Sequence, residues 1–389
     1  MTQNITIGDA VTVERGTTYK SGLIGEPGPV LLGLGTIQRN GGFRGDSLRT
    51  YGGESPDKLL VRPGELYASL KDVTQSADLL GAVARVPVDG PVGRLTQDTV
   101  RLDLTGVVEA DYLYWVMRTP QYRAYCRAHA TGTTNLGLPR DDFFSFSFPA
   151  PSDERNSLVC LLGALDDKIN SNRRLISLIP QLIRSRVNAL LLIETKLVPA
   201  SRLATFVNGG AFTKGATGTG RMVIRIADLN SGPGPSTVYN DLEVPEDKTV
   251  RAGDILMSWS GSLGVYRWAR DEAIVNQHIF KVIPSGYPAW LVFDRVEAVI
   301  EIFQGIAKDK ATTMGHIQRG HLDSTLVDLP TSGAIERLDE DLGPLWRRLL
   351  VAEQEMLKLA TLRDALLPEL LSGRIRVPEA ARAVEGAIA

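Results

Sequence analysis

Leucine, isoleucine and valine recur at alternating steps of three and four along two stretches of this chain, and at steps of two along many shorter ones. In the first long stretch Leu158, Leu162, Leu165, Ile169, Ile176, Ile179, Ile183, Val187 and Leu190 share one stripe, with polar Asn172 at the missing step. Leu342, Leu345, Leu349, Ala352, Met356 and Leu359 form a second stripe. Spacing that averages three and a half residues keeps apolar side chains on one helical seam, so both stretches predict long helices of coiled-coil type. An Asn in such a seam lowers stability but favours one register, because only that pairing satisfies its amide. Pro180 is expected to kink the first helix, since it lacks a backbone donor and clashes one turn back. Gly373 is expected to cap the second.

Ahead of each stripe the pattern changes. ELYASL, VRLDL, RMVIRIADL and IFKVIP alternate apolar and polar positions between turn residues, which reads as strands. A short helical stretch follows in each half, YLYWVMRTPQYRAYCRA in the first and WLVFDRVEAVIEIFQGI in the second. Single motifs also recur. Val61-Arg62-Pro63-Gly64-Glu65-Leu66 returns 189 residues later as Val250-Arg251-Ala252-Gly253-Asp254-Ile255. Thr133-Thr134 returns after 179 residues as Thr312-Thr313, and Leu162-Gly163-Ala164-Leu165 after 180 as Leu342-Gly343-Pro344-Leu345. Three matches in one order at nearly constant offset imply an internal duplication. The predicted fold is α+β: two repeated mixed α/β domains, each followed by a long helix, the two helices pairing as an antiparallel coiled coil. The expected blocks are a first domain over 1–151, a central helix over 152–198, a second domain over 199–331, a distal helix over 332–373 and a tail over 374–389.

Composition narrows the classes without choosing among them. The 389 residues suffice for two or three domains. No apolar run reaches the roughly 18 residues a membrane span needs. MTQNITIGDA lacks the basic and apolar regions of a secretion signal. Cys126 and Cys160 cannot make a disulfide framework and fit a reducing cytoplasm. A net charge of −2 and a pI near 6.2 argue against a simple nucleic-acid binder, although total charge leaves local fields open.

No catalytic constellation is present. Gly33-Leu34-Gly35 and Gly218-Thr219-Gly220 lack the third glycine of a dinucleotide loop, and no loop ends in Gly-Lys-Ser/Thr. The Asn/Asp-Pro-Pro-aromatic motif of amino-methyltransferases is absent. Glu194-Thr195-Lys196 mimics the end of a nuclease metal motif but falls at a helix end. His316 and His321 lie five apart with no cysteine, which makes no zinc site.

Pro151-x-x-Glu154 followed by LLGALDDKINSNRRLISLI, and the ending TLRDALLPELLSGRIRV, carry a resemblance. They are similar to the first central helix, with its Leu-Asp-x-Lys-Ile core, and to the close of the distal helix in specificity (S) subunits of type I restriction–modification systems. VIRIADLNSG and the Thr-Thr loops match weaker signatures of that family's target recognition domains, and the resemblance covers nearly the whole chain. Arg155 stands where many members carry Gln, and SGAIERLDEDL lacks a second Pro-x-x-Glu-Gln. The resemblance implies a cytoplasmic, non-catalytic DNA-recognition subunit. Each target recognition domain would read one part of a split site in double-stranded DNA. The helices would set the spacing and dock two DNA methyltransferase (M) subunits, with two restriction/translocase (R) subunits joining. The chain itself would hold no cofactor; S-adenosylmethionine, ATP and Mg would belong to the partners. The first helix, about 55 Å long at 1.5 Å per residue, exceeds one turn of B-DNA, about 34–36 Å. The alternatives are a specificity subunit of a related phage-defence methylation system without an endonuclease, and a stand-alone nuclease.

Base reading calls for Arg, Lys, Asn and Gln held in a groove. In the first domain GTIQRNGGFRGDSLR supplies Gln38, Arg39, Asn40, Arg44 and Arg49; in the second GGAFTKGATGTGRMVIR supplies Lys214, Thr217, Thr219, Arg221 and Arg225. Any single arginine there could equally be an ordinary solvated surface residue, while the loops as groups favour function. Thr133, Thr134, Thr312 and Thr313 could hold phosphates or simply form local turns. Trp259-Ser260-Gly261-Ser262 and Asn276-Gln277-His278 lie in or beside strands, where Trp259 is expected to join the core.

Overall fold

The computed structural model describes residues 3–193, 195–309 and 315–372. Thr312, Thr313, Gly373 and the 374–389 tail lie outside the described residues. The chain divides into two compact units, residues 1–168 with 358–389, and residues 169–357. The division cuts both long helices, Asp153–Leu191 and Ser332–Leu366, rather than falling at their ends. Each unit therefore holds one mixed domain and a stretch of each helix.

The first domain is built on two small sheets. One is antiparallel, in the order Val11–Arg15, Thr99–Leu104, Leu66–Ser69, Val83–Arg85. The other places Gly93–Leu95 between a parallel Val30–Leu32 and an antiparallel Leu60–Val61. Asn4–Thr6 pairs with Ser147–Pro149 where the chain enters and leaves the domain. Val30, Leu32, Val61, Tyr67, Ala84 and Leu95 point into a common core.

The second domain repeats this plan. Its antiparallel sheet runs Ala204–Asn208, Ile279–Pro284, Ile255–Ser258, Gly264–Arg267. Its other sheet places Ala273–Val275 between a parallel Arg221–Ile224 and an antiparallel Thr249–Val250, with Val238–Asn240 added at the edge. Lys196–Pro199 and Leu326–Leu329 make the entry and exit pair. Short helices occupy equal places too, Ala110–Val116 and Pro120–Ala128 in the first domain, Ala289–Ala298 and Ile300–Asp309 in the second.

The repeated six-residue motif is one turn made twice. Gly64 and Gly253 have φ of 88° and 98°, a left-handed conformation that costs glycine nothing. In each copy the residue after the glycine caps the turn: Arg62 N–H donates to Glu65 Oε2 at 2.7 Å, and Arg251 N–H to Asp254 Oδ2 at 2.7 Å. Gly16 and Gly209 are matched as well. A Cβ on either would sit 2.0 Å from a carbonyl oxygen, of Thr96 and of Asn276 respectively.

Ser152 starts the first long helix, accepting the Arg155 N–H at 3.3 Å, and Asp153 and Glu154 complement the positive end of its dipole. The helix continues through Pro180, so that residue does not end it. In the first unit Leu158, Leu162 and Leu165 are buried, as are Leu359 and Leu366 of the second helix. In the second unit Ile169, Asn172, Ile179, Ile183, Val187, Leu342, Leu349 and Ala352 are buried, while Ile176, Leu345 and Met356 are half-buried. There Ile179, Ile183, Val187, Leu342 and Leu349 share one core with Trp290, Leu291 and Phe280 of the domain. Full burial of such a side chain stabilises by about 1.5–3 kcal/mol. Within the first unit the two helical stretches run antiparallel: Arg155 meets the Leu370 carbonyl at 3.3 Å and Asp166 meets Arg363 at 2.8 Å, one number rising as the other falls. In the second unit Asn172 meets Glu355 at 3.0 Å. The Asn172 amide is only half satisfied. Its NH2 donates to Glu355, but its carbonyl oxygen has no partner among the described residues, because a carboxylate accepts and cannot donate in return.

Candidate nucleic-acid interface

The first-domain loop is braced by its own hydrogen bonds and presents exposed arginines. Gln38 N–H donates to the Gly42 carbonyl at 2.8 Å and its side chain to the Phe43 carbonyl at 2.7 Å, so Gln38 shapes the loop from within. Asn40 takes φ of 61°, which non-glycine residues seldom adopt, and its N–H is held by the Asp78 carbonyl at 2.8 Å. Arg39 stands with 78% of its side chain exposed, only loosely near Asp78 at 3.8 Å. Arg49 is exposed and makes no ion pair among the described residues. Arg44 instead grips Asp46 with Nε at 2.8 Å, and that hydrogen bond holds the Asp46 carboxyl below its ordinary value. Thr133 and Thr134 are exposed in the bend between Thr131 and Gly137, whose backbones pair.

Four second-domain residues, Thr217, Thr219, Arg221 and Arg225, are engaged internally. Thr219 Oγ1 donates to Asp241 at 2.6 Å and Thr217 Oγ1 accepts the Asp241 N–H at 3.2 Å; hydrogen bonds from Thr219, then Thr217, hold the Asp241 carboxyl below its ordinary value. Arg221 bonds Glu272 at 2.9 Å and the Leu242 carbonyl at 2.7 Å. Arg225 Nε donates to buried Asp228 at 3.0 Å. Burial pushes the Asp228 carboxyl up, but hydrogen bonds from Arg225 and Thr237 outweigh it and leave the group below its ordinary value. Lys214 is exposed at the loop tip.

Trp259 joins the core only at its border: it is half-buried and packs against Phe280. Its indole N–H donates to Asn208 Oδ1 at 2.9 Å, and its ring lies 4.9 Å from His278 and 6.3 Å from His316. His278 has φ of 72°, and its Nδ1 is buried with no hydrogen-bond partner among the described residues. Among those residues, too, no group of three His, Cys, Asp or Glu is placed to hold a metal ion, and no helix is long and apolar enough to cross a membrane.

Sequence reasoning passed over a set of arginines beside the first loop. Arg118, Arg123, Arg127 and Arg363 line a cavity of about 350 Å3 together with Arg39 and Asn40. The available signal was the four-residue spacing of Arg123 and Arg127, which puts both on one helical face.

No protein-family model matches the chain, and neither does any curated protein sequence. Solved structures do. The S subunit of a type I restriction–modification system from M. genitalium matches at 14% identity and a TM-score of 0.62, over 95% of this chain and 96% of that one. The HsdS subunit from Thermoanaerobacter tengcongensis aligns at 16% identity over 96% and 97% of the two chains, with a TM-score of 0.34. Identity that low speaks to architecture, and with the M. genitalium S subunit the agreement extends over nearly the full length. The chain has the fold of a type I restriction–modification system S subunit.

Proposed function

We propose that this chain is the DNA-recognition subunit of a type I restriction–modification complex. Each domain reads one part of a split duplex site, and the paired helices set the spacing between the parts. Two methyltransferase subunits dock on the chain and two restriction/translocase subunits join them. The chemistry lies with those partners, which carry S-adenosylmethionine, ATP and Mg, and the assembly works in the cytoplasm. The observation that carries this reading is the doubled strand order displaying two different sets of loop side chains. A duplicated scaffold with diverged loops suits the reading of two unlike half-sites. The helix supports it as well, since 39 residues span about 58 Å, more than a turn of B-DNA at about 34–36 Å.

Methylome sequencing of a strain with and without the gene tests the proposal. The expected result is a bipartite methylated motif that disappears with the gene, together with co-purification of a methyltransferase subunit. Exchanging residues 1–150 for another recognition domain then changes one half of the motif only. Loss of neither the motif nor the co-purifying subunit would overturn the reading.

A further inference from the structure

The cavity beside the first-domain loop is walled by three separated parts of the chain, all within one compact unit. Arg39 and Asn40 come from the loop. Arg118, Arg123 and Arg127 come from the short helices and their junction, and Arg363 from the second long helix.

Its charges do not cancel. Arg118 and Arg363 share Asp166, at 3.3 and 2.8 Å, and Arg363 also meets Asp364 at 2.8 Å. Arg39 approaches Asp78 only at 3.8 Å. Arg123 is 2% exposed and reaches no carboxylate among the described residues; it donates to the carbonyls of Leu80, Ala77 and Asp78 at 2.7, 3.2 and 2.9 Å. Its Nε is buried with no acceptor. Arg127 is exposed and makes no ion pair among the described residues. Five guanidinium groups thus answer to three carboxylates, leaving two positive charges in a concave site. Burial pulls the Arg123 guanidinium below its ordinary value, as expected for a charge that neighbours do not offset. An anion entering the cavity would supply the missing charge.

The matching positions of the second domain carry none of these charges. An offset of 180 relates Thr99–Leu104 to Ile279–Pro284, and the same offset puts Ala298, Phe303 and Ala307 where the first domain has Arg118, Arg123 and Arg127. Phe303 and Ala307 are buried in the apolar core there.

We propose that this cavity clamps a backbone phosphate of duplex DNA next to the half-site read by the first domain. The proposal rests on the DNA-recognition reading above. The forked donors of arginine match phosphate oxygens, and such contacts fix register without reading a base. Asn40 at the cavity mouth then stands beside the clamped strand, placed for the neighbouring groove.

The test is a salt titration of binding between the full-length chain and a fluorescently labelled duplex. The logarithm of the binding constant falls against the logarithm of salt concentration with a slope of about −0.9 per neutralised phosphate. Arg127→Gln and Arg39→Gln replace exposed side chains and leave the fold intact. Each is expected to weaken binding equally on cognate and unrelated duplexes and to reduce the slope by about one contact. Arg62→Gln, outside the cavity, should leave the slope unchanged. If the wild-type chain binds duplex but both cavity variants keep its slope, the clamp is wrong and the recognition reading survives. If Arg62→Gln lowers the slope as much, the effect is diffuse charge and the clamp is again wrong. A wild-type chain that binds no duplex at any salt overturns both. Should inorganic phosphate shield Arg127 from phenylglyoxal while duplex does not, the cavity serves a free anion, and the proposal fails.

Discussion

Leu66 pairs with Arg85 in the first domain, and Ile255 pairs with Arg267 at the same place in the second, yet the two arginines end in different surroundings. Arg85 lies over the Tyr114 ring at 4.8 Å and meets Asp111, a carboxylate 64% exposed, at 2.5 Å. The Arg267 side chain is 2% exposed; it bonds Glu353 through Nε at 2.9 Å, reaches the Trp346 carbonyl at 2.9 Å and covers the Trp346 ring at 4.4 Å. One arginine stays within its own domain, and the other ties a strand to the second long helix. Strand order determines where a side chain begins. The helix stretch packed beside it decides what that side chain meets.

The largest expected effect follows directly. Arg267→Ala removes the buried guanidinium and leaves the half-buried Glu353 without its partner, in a setting where burial already pushes that carboxyl above its ordinary value. Breaking a fully buried pair costs about 3–5 kcal/mol, and with Glu353 half-buried the expected loss lies at or below the lower end of that range, about 2–3 kcal/mol. Arg85→Ala removes a half-solvated pair and a ring contact, for about 1 kcal/mol. Urea denaturation of both variants checks the contrast. Equal losses would mean that the helix contact adds nothing to the second domain.

A smaller effect separates the domains by pH. Four residues beyond the matched strands, the first domain buries neutral Thr36 and the second buries Asp228. Hydrogen bonds from Arg225 and Thr237 hold Asp228 below its ordinary value of 3.8. A depressed carboxyl stabilises the fold above its unfolded value, and that contribution fades as pH falls through the lower folded value. Asp228→Asn should therefore cost about 1.5–3 kcal/mol at neutral pH, the range for a hydrogen bond to a charged group. The gap between variant and wild type should close in acid below pH 3.8. A melting-temperature difference that persists unchanged at low pH would show that the charge at Asp228 is immaterial.

What the sequence disclosed, and what it hid, divides along chain separation. The long helices were legible because their apolar spacing repeats over many turns, and the duplication because the Arg62–Leu66 turn demands a glycine and a cap in fixed order. The Arg225–Asp228 pair was legible in principle, being three residues apart. Arg221 looked like a free reader because Glu272 lies 51 residues away in sequence. The arginine cavity was hidden for the same reason: positions 39, 123 and 363 become neighbours only through the fold. Trp259 shows the limit of composition: its ring packs at the border of the apolar core beside Phe280, while its indole N–H reaches Asn208 at a strand end.

The smallest stability effect makes the sharpest test of the loops. Arg39 and Arg49 are exposed and loosely held, so Arg39→Gln and Arg49→Gln should change unfolding free energy by no more than about 0.5 kcal/mol. Arg221→Gln breaks an ion pair and a carbonyl bond that join strand Arg221–Ile224 to Glu272 and Leu242, and should cost about 1 kcal/mol. Under DNA recognition the ranking reverses for binding. Arg39→Gln should weaken binding to every duplex alike, and Arg49→Gln should weaken binding or relax one half of the methylated motif, both leaving the melting temperature in place. Arg221→Gln should lower the melting temperature and disturb the other half only through the loop it supports. Rescue separates the cases: Arg221→Lys keeps the charge near Glu272 and should recover most of the lost stability, whereas Arg49→Lys cannot restore a forked contact to guanine O6 and N7 if Arg49 makes one. A lysine that restored full specificity at Arg49 would place that residue on phosphate rather than on a base.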